Sequence, residues 1–173
     1  LPTNSLQKVF CRVRLAILTL PSFQDWLYTI ALLLIFGLVY LPIGFKLGFL
    51  KIAIQSSWQT IVGVAIGTFL VPALLEELGF RVLILSHPSE SVSFKHRWIQ
   101  VILSWLLFVA YHVHPFVPAF FKTPAFLIAT GLIGIACTIS YLKSGSLWTP
   151  LVTHWLIVMT WLLALGGLEQ FQS

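Results

Sequence analysis

Long apolar runs separated by short polar connections set the pattern of this chain. The first run, residues 26–45, is nearly all apolar and lies between Asp25 and Lys46. At ~1.5 Å rise per residue, about 20 such residues cross a bilayer core, so the run predicts a spanning helix. After "KLGFLK", a second run extends over residues 52–85, and Pro72 within it predicts a kink or a division into two helices. The polar stretch "SHPSESVSFKHR" leads to a third segment at residues 98–111. "HPFVPAFFKTP" then carries too many prolines for a regular helix and reads as a re-entrant or interfacial loop. Further spans are predicted at residues 125–142 and 147–168, with "KSGS" as the tight turn between them. No internal repeat or low-complexity tract interrupts this order.

Residues 1–20 differ. Lys8, Arg12 and Arg14 alternate with Leu6, Val9, Phe10, Val13 and Ile17, the distribution of an amphipathic helix lying in the interface. An amphipathic helix fits better than a secretory signal, because "PSFQDW" follows where a small-residue cleavage site would stand. The fold class expected is therefore all-α: a multi-pass transmembrane helical bundle with an N-terminal interfacial amphipathic helix. The N-terminal segment covers residues 1–25 and the membrane domain residues 26–173.

Composition strengthens this picture. The 173 residues are 58% hydrophobic and 9% charged, with mean hydropathy +0.97, against roughly 25% charged residues in an average soluble domain. The lipid bilayer is the expected solvent. Net charge is +5, with the basic residues spread over short connections rather than clustered on one face, which argues against nucleic acid as a partner. Under an N-in topology the cytoplasmic side collects Lys8, Arg12, Arg14, Lys95, Arg97 and Lys143, and the other side Lys46, Lys51 and Lys122. That bias predicts a cytoplasmic N-terminus. Cys11 and Cys137 have no metal-type spacing and are expected to be buried thiols.

Ionisable residues inside apolar segments are costly and point to function. Glu76, Glu77 and Arg81 sit in "LLEELGFRVLIL"; His112 ends "LLFVAYH"; His154 lies in "TPLVTHWLIVM". Glu77 and Arg81, four apart, share a helical face and can pair, while Glu76 is rotated about 100° and is free for a partner on another helix. Measured from the proposed cytoplasmic ends at Leu85, Trp98 and Leu147, Glu76, His112 and His154 lie roughly 14, 21 and 10 Å deep, close enough to share a layer. His114, two residues beyond His112 and before Pro115, reads as a loop residue; His87 and His96 read as solvated. The bland alternative for the acidic pair is a buried ion pair with no chemical role.

Taken together, Glu76-Glu77-x-x-x-Arg81, Phe108-x-x-x-His112 and His154 after "GSLWTPLVT" resemble the motifs of the CPBP family of intramembrane proteases. That family includes the CAAX prenyl endopeptidases and the bacteriocin-immunity Abi proteins, and the resemblance covers about residues 60–165. It implies an endopeptidase that hydrolyses a peptide bond with a glutamate- and histidine-activated water. The catalytic residues it implies are Glu76, Glu77, Arg81, His112 and His154, acting on a peptide or protein substrate that can be lipidated. A desolvated glutamate suits general-base work near neutral pH.

Two schemes are open. In one, Glu76, His112 and His154 are a His₂Glu set for Zn²⁺ with a fourth position for water, and Glu77 is the base or supports a ligand. In the other no metal is used: Glu76 and His112 activate the water and His154 stabilises the oxyanion. The chain departs from the family at Val158, four after His154, where Asn or Asp is usual. That departure keeps a non-catalytic membrane interaction or immunity-type member as the alternative. An ion or proton pathway is disfavoured, because no further acidic residue lies in the spans and amides such as Gln55 and Gln59 are too few for a continuous route.

Overall fold

The computed structural model describes residues 5–171, which form helices and short connections. No strand occurs among the described residues; an isolated parallel bridge joins Ala53 to Leu165. Residues 1–4 and 172–173 of the two expected segments lie outside the described residues. The bundle contains three helical stretches long and apolar enough to cross a membrane: Phe23–Lys46, Trp58–Leu83 and Pro124–Ser144. The all-α transmembrane architecture expected from the apolar runs is what forms.

Helix boundaries follow local capping chemistry more than hydrophobicity. α2 (Phe23–Lys46) begins in a capping box, with Ser22 accepting from the Asp25 amide and Asp25 accepting from the Ser22 amide. The second span starts at Trp58, not at residue 52 as expected. The Gln55 side chain accepts from the Ser57 amide, and Ser57 caps α3 (Trp58–Thr68) through the Thr60 amide. Residues 51–55 instead run extended beside the end of the last span, with the Lys51, Ala53 and Gln55 amides donating to the carbonyls of Leu165, Ala164 and Leu163. Ser93 caps α4 (Phe94–Tyr111) through the His96 amide, so this helix begins four residues earlier than the apolar run.

Pro72 breaks the second span as expected. Val71 takes an extended backbone (φ −138°, ψ 115°), and wide π-helical turns lie on either side of Leu75 and Glu76, at Phe69–Leu74 and Glu77–Leu83. Such turns recur at functional sites. The proline-rich connection holds one 3₁₀ turn, Ala119–Lys122, before α5 (Pro124–Ser144). α6 (Trp148–Ala164) is shorter than expected, because Gly166 at φ +82° turns the chain into the short α7 (Gly167–Gln170).

α5 is the central helix. In its apolar window 56% of the residues are buried inside the protein, against 17% in the other two long spans, many of whose leucines and isoleucines are exposed. Small residues allow close approach. A side chain at Gly134 would meet Trp105 at 2.9 Å and Phe108 at 3.2 Å, so glycine there lets α4 lie against α5.

α1 (Ser5–Leu18) is amphipathic as expected, with Leu6, Phe10 and Leu18 exposed. Its other face is not at the membrane surface but docked. Ala16 is fully buried, the Ala16 carbonyl accepts from the Leu147 amide at 2.9 Å, and the Ile17 carbonyl accepts from Trp148 Nε1 at 2.9 Å. Arg12 clasps Glu90 with two bonds of 2.6 and 2.8 Å and donates to the Leu83 carbonyl at 3.2 Å. Two expectations fail in this region. Cys11 is exposed on α1. His87 is buried rather than solvated, its Nε2 donating to the Gly145 carbonyl at 2.9 Å. Gly145 stands at φ +67° to close α5, and that turn covers the imidazole.

Burial opposes ionisation of Glu90, but Arg12 and the His87 amide outweigh it and hold the carboxyl below its ordinary value. The stabilisation is complete above the ordinary carboxylate range, near pH 4.3, and is lost as pH falls through the lower folded value. Glu90→Gln is therefore expected to lower thermal stability at pH 7 by about 1 kcal/mol, with the gap to wild type closing as pH falls below about 4. Melting curves of both proteins in one detergent across that range check it.

Candidate active site

Three elements bring the sequence-predicted residues together: the broken second span, the end of α4, and α6. Arg81 anchors the group. It is fully buried, with Nε 3.2 Å from Glu77 Oε2, Nη2 donating to the Gly134 carbonyl at 3.3 Å, and its guanidinium 4.3 Å above the Phe108 ring. The ion pair spans one turn, as the spacing predicts. A charge this deep in an apolar bundle holds only when paired and hydrogen-bonded.

Glu77 has a second partner that spacing could not reveal. His154 Nδ1 donates to Glu77 Oε1 at 2.8 Å, across 77 residues of sequence. This bond sets the tautomer: Nδ1 carries the proton and Nε2 turns toward Glu76. His112 is oriented in the same manner by its own helix. Its Nδ1 donates to the Phe108 carbonyl at 2.8 Å, four residues back, leaving Nε2 toward the cluster. The two Nε2 atoms lie 3.7 Å (His112) and 4.0 Å (His154) from one oxygen, Glu76 Oε2. That oxygen is buried and has no hydrogen-bond partner. Thus three lone-pair-bearing atoms converge, an arrangement that attracts a proton or a cation.

The donor chemistry fits zinc. One carboxylate and two imidazoles oriented through their other nitrogens are donor types that zinc takes. Ligand atoms around tetrahedral zinc stand about 3.3 Å apart, so the two gaps at Glu76 are wider by less than an ångström. A second group, Glu77, Cys137 and His154, offers ligand atoms within 4.8 Å of one another. It suits a cation less well, because Arg81 already supplies the positive charge beside Glu77. Cys137 Sγ is engaged with the Pro150 carbonyl at 3.5 Å.

Glu76, His112 and His154 open into a cavity of about 320 Å³ whose walls include Phe36, Tyr40, Phe49, Phe121, Phe126 and Ile133. His114, read as a loop residue, also lines it. Successive turns of α6 contribute His154, Ile157, Val158, Trp161 and Leu162. Val158 therefore brings no donor to the wall beside His154. Neither threonine nearby replaces it, since Thr153 is buried and donates to the Thr149 carbonyl at 2.8 Å, and Thr160 is exposed.

The glutamate–histidine cluster thus lines an apolar cavity in a bundle whose long helices are apolar enough to cross a membrane. Residues 57–160 match the family described as type II CAAX prenyl endopeptidase Rce1-like, and the chain belongs to this family. No curated protein and no solved structure matches it.

The two glutamates are expected to fail in different ways. Glu77→Gln leaves Arg81 as a buried charge without its counter-ion, which typically costs about 3–5 kcal/mol. Glu76→Gln removes an oxygen that holds no partner and is expected to cost less than about 1 kcal/mol. Thermal unfolding of both variants in the same detergent decides the matter. A larger loss for Glu76→Gln would reverse the roles.

Proposed function

We propose that the protein is an intramembrane endopeptidase in which Glu76, His112 and His154 carry the chemistry, Glu77 orients His154, and Arg81 braces Glu77. The observation that carries the reading is the orphaned Glu76 Oε2 facing two imidazole nitrogens at the floor of an apolar cavity. The substrate class is a peptide ending in a CAAX-type sequence, lipidated at its cysteine, in keeping with the family. The apolar walls suit such a chain end better than a charged one.

Hydrolysis then runs through this chain's own groups. A water between Glu76 and His112 forms the new C–O bond to the scissile carbonyl carbon as one of its protons passes to Glu76 Oε2. The carbonyl electron pair moves to oxygen. Without a metal, His154, held by Glu77 through Nδ1–H, can serve that oxyanion only once Nε2, a lone-pair atom in the resting site, has taken up a proton. As the pair returns, the C–N bond breaks and Glu76 passes its proton to the leaving amine, giving one carboxyl and one amine product. If zinc is used, Glu76, His112 and His154 would hold it, and it would supply Lewis-acid polarisation.

Glu76→Gln is expected to abolish cleavage of a prenylated CAAX peptide in purified protein while leaving the fold intact. Chelator treatment followed by Zn²⁺ restoration separates the two schemes: reversible loss of turnover supports the metal, and full activity after verified removal excludes it. A second reading, binding without turnover, is favoured by Val158, which puts a methyl-bearing wall where the family places a donor. Under the endopeptidase reading with a weakened oxyanion site, Val158→Asn raises the rate. One well-aimed transition-state bond is worth on the order of 2.7–4 kcal/mol. If the wild type and a folded Val158→Asn both bind the peptide without cleaving it, the non-catalytic reading holds.

The cytoplasmic N-terminus is our reading of the distribution of basic residues. Ser91 lies exposed in the connection on the same side as α1. In a cysteine-free background, Ser91→Cys in intact cells is expected to resist an impermeant thiol reagent and to react after permeabilisation. Labelling of intact cells inverts the topology.

A further inference from the structure

We propose that the groove between α4 and α5 holds an acyl chain of an anionic phospholipid whose phosphate pairs with Arg97. The groove has a volume of about 530 Å³ and shares no lining residue with the cavity at Glu76. Its walls are almost wholly apolar: Phe94, Trp98, Val101 and Trp105 from one face of α4, with Ile139 and Leu142 of α5 running past them. Phe94 to Trp105 is eleven residues, about 16 Å along the helix axis, close to half of a ~30 Å hydrocarbon core. The groove therefore has the length of one leaflet. Trp105 is its innermost residue on α4, with the indole donating to the Gly131 carbonyl at 2.9 Å. One turn further on, Phe108 already belongs to the cavity.

The other end carries charge. Arg97 lines the groove there, while its Nη1 and Nη2 donate to the Ser86 and Glu90 carbonyls at 3.2 and 3.1 Å. These bonds hold the guanidinium beside the polar connection. They engage two of its five N–H donors and bring no negative charge. Among the described residues no acidic side chain is left for it. Asp25 caps α2, Glu77 meets Arg81, Glu90 meets Arg12, Glu169 meets Lys51, and Glu76 lies in the candidate active site. Lys95 and Lys143, both exposed and each one residue past a groove residue, add to the positive excess at this end. An apolar slot with an unneutralised cation at its mouth complements a molecule with a hydrocarbon tail and an anionic head. Guanidinium matches phosphate oxygens, and basic pockets between spanning helices are where anionic headgroups bind. A zwitterionic lipid fills the slot equally well but brings its own cation toward Arg97, so the charge selects the headgroup.

The test uses the protein in phosphatidylcholine vesicles, titrated with phosphatidylglycerol brominated on its acyl chains or with phosphatidylcholine brominated in the same way. Bromine quenches nearby indoles, and Trp98 and Trp105 line the groove. The double variant Trp98→Phe/Trp105→Phe gives the background from the remaining tryptophans. The groove signal is expected to favour phosphatidylglycerol by at least about fivefold, the gain that one basic side chain typically brings at an anionic surface. Arg97→Gln keeps N–H donors for the two carbonyls and is expected to lower that ratio about fivefold, whereas Arg97→Lys retains it. Ile102→Phe with Ile139→Phe fills the slot and is expected to abolish the preference with Arg97 intact. Arg14→Gln removes an exposed cation of α1 outside the groove and is expected to leave the ratio unchanged. A wild-type ratio near one overturns the proposal, since the groove then takes whatever lipid surrounds the bundle. So does an unchanged ratio in Arg97→Gln, or an equal drop in Arg97→Gln and Arg14→Gln, which would mark the charge of the whole surface. Full preference in the filled variant overturns it too, because the headgroup would then bind without the slot, as free phosphate does. The wild-type ratio and the filled variant decide the matter even where Arg97→Gln fails to fold.

Discussion

A single buried positive charge governs the inside of this bundle. Arg81 cannot reach water, so its surroundings are organised around it: a carboxylate one turn away, a backbone carbonyl on α5, and an aromatic face from α4. Each contact ties a different element to the broken second span. Glu77, fixed by the guanidinium, fixes the ring of His154 in turn, so the charge acts on the glutamate–histidine cluster through one intermediary. Phe108 extends the control, because its ring lies under Arg81 while its carbonyl holds His112. Neither histidine touches Arg81 directly in these bonds, yet the tautomer and direction of both depend on groups that Arg81 locates.

The parts of this arrangement written in local spacing were legible in the sequence. Four residues between Glu77 and Arg81 give a shared face, and the pair forms. The apolar runs gave the spans and Pro72 gave their break. What the sequence could not show were bonds between residues far apart along the chain and the short-range capping that trims helix ends. The bond from His154 to Glu77 depends on how α6 rotates against the second span, and no periodicity encodes that. His87 looked solvated because its neighbours are polar, but the Gly145 turn folds over it. Residues 52–57 looked helical because they are partly apolar, but Ser57 caps the helix only after them. Cys11 points outward because only one face of its amphipathic helix is docked, a choice that the spacing of the cysteines does not encode.

Glycine and the aromatic rings divide the cavity between them. Gly134 brings α4 close enough for Phe108 to cover the guanidinium, and Gly167 brings the chain after α6 against Trp161. One end of the cavity is therefore closed around charged and titratable groups, and the other around stacked rings. This polarity runs along a single helix face, from His154 through Val158 to Trp161.

The docking of α1 has a consequence for the order of assembly. It precedes the other described helices in the chain, and its partners lie far downstream. Arg12 meets Glu90 after a separation of 78 residues, and Ile17 meets Trp148 after 131. Contacts this distant in sequence cannot form until the intervening spans exist, and long loops close slowly. Until α6 begins, α1 has only the bilayer surface on which to hide Leu6, Phe10 and Leu18. Its amphipathic character thus serves first as a mooring during biogenesis. Only with Leu147 and Trp148 in place does its other face dock, while Leu6, Phe10 and Leu18 stay outward, so this segment is among the last to settle.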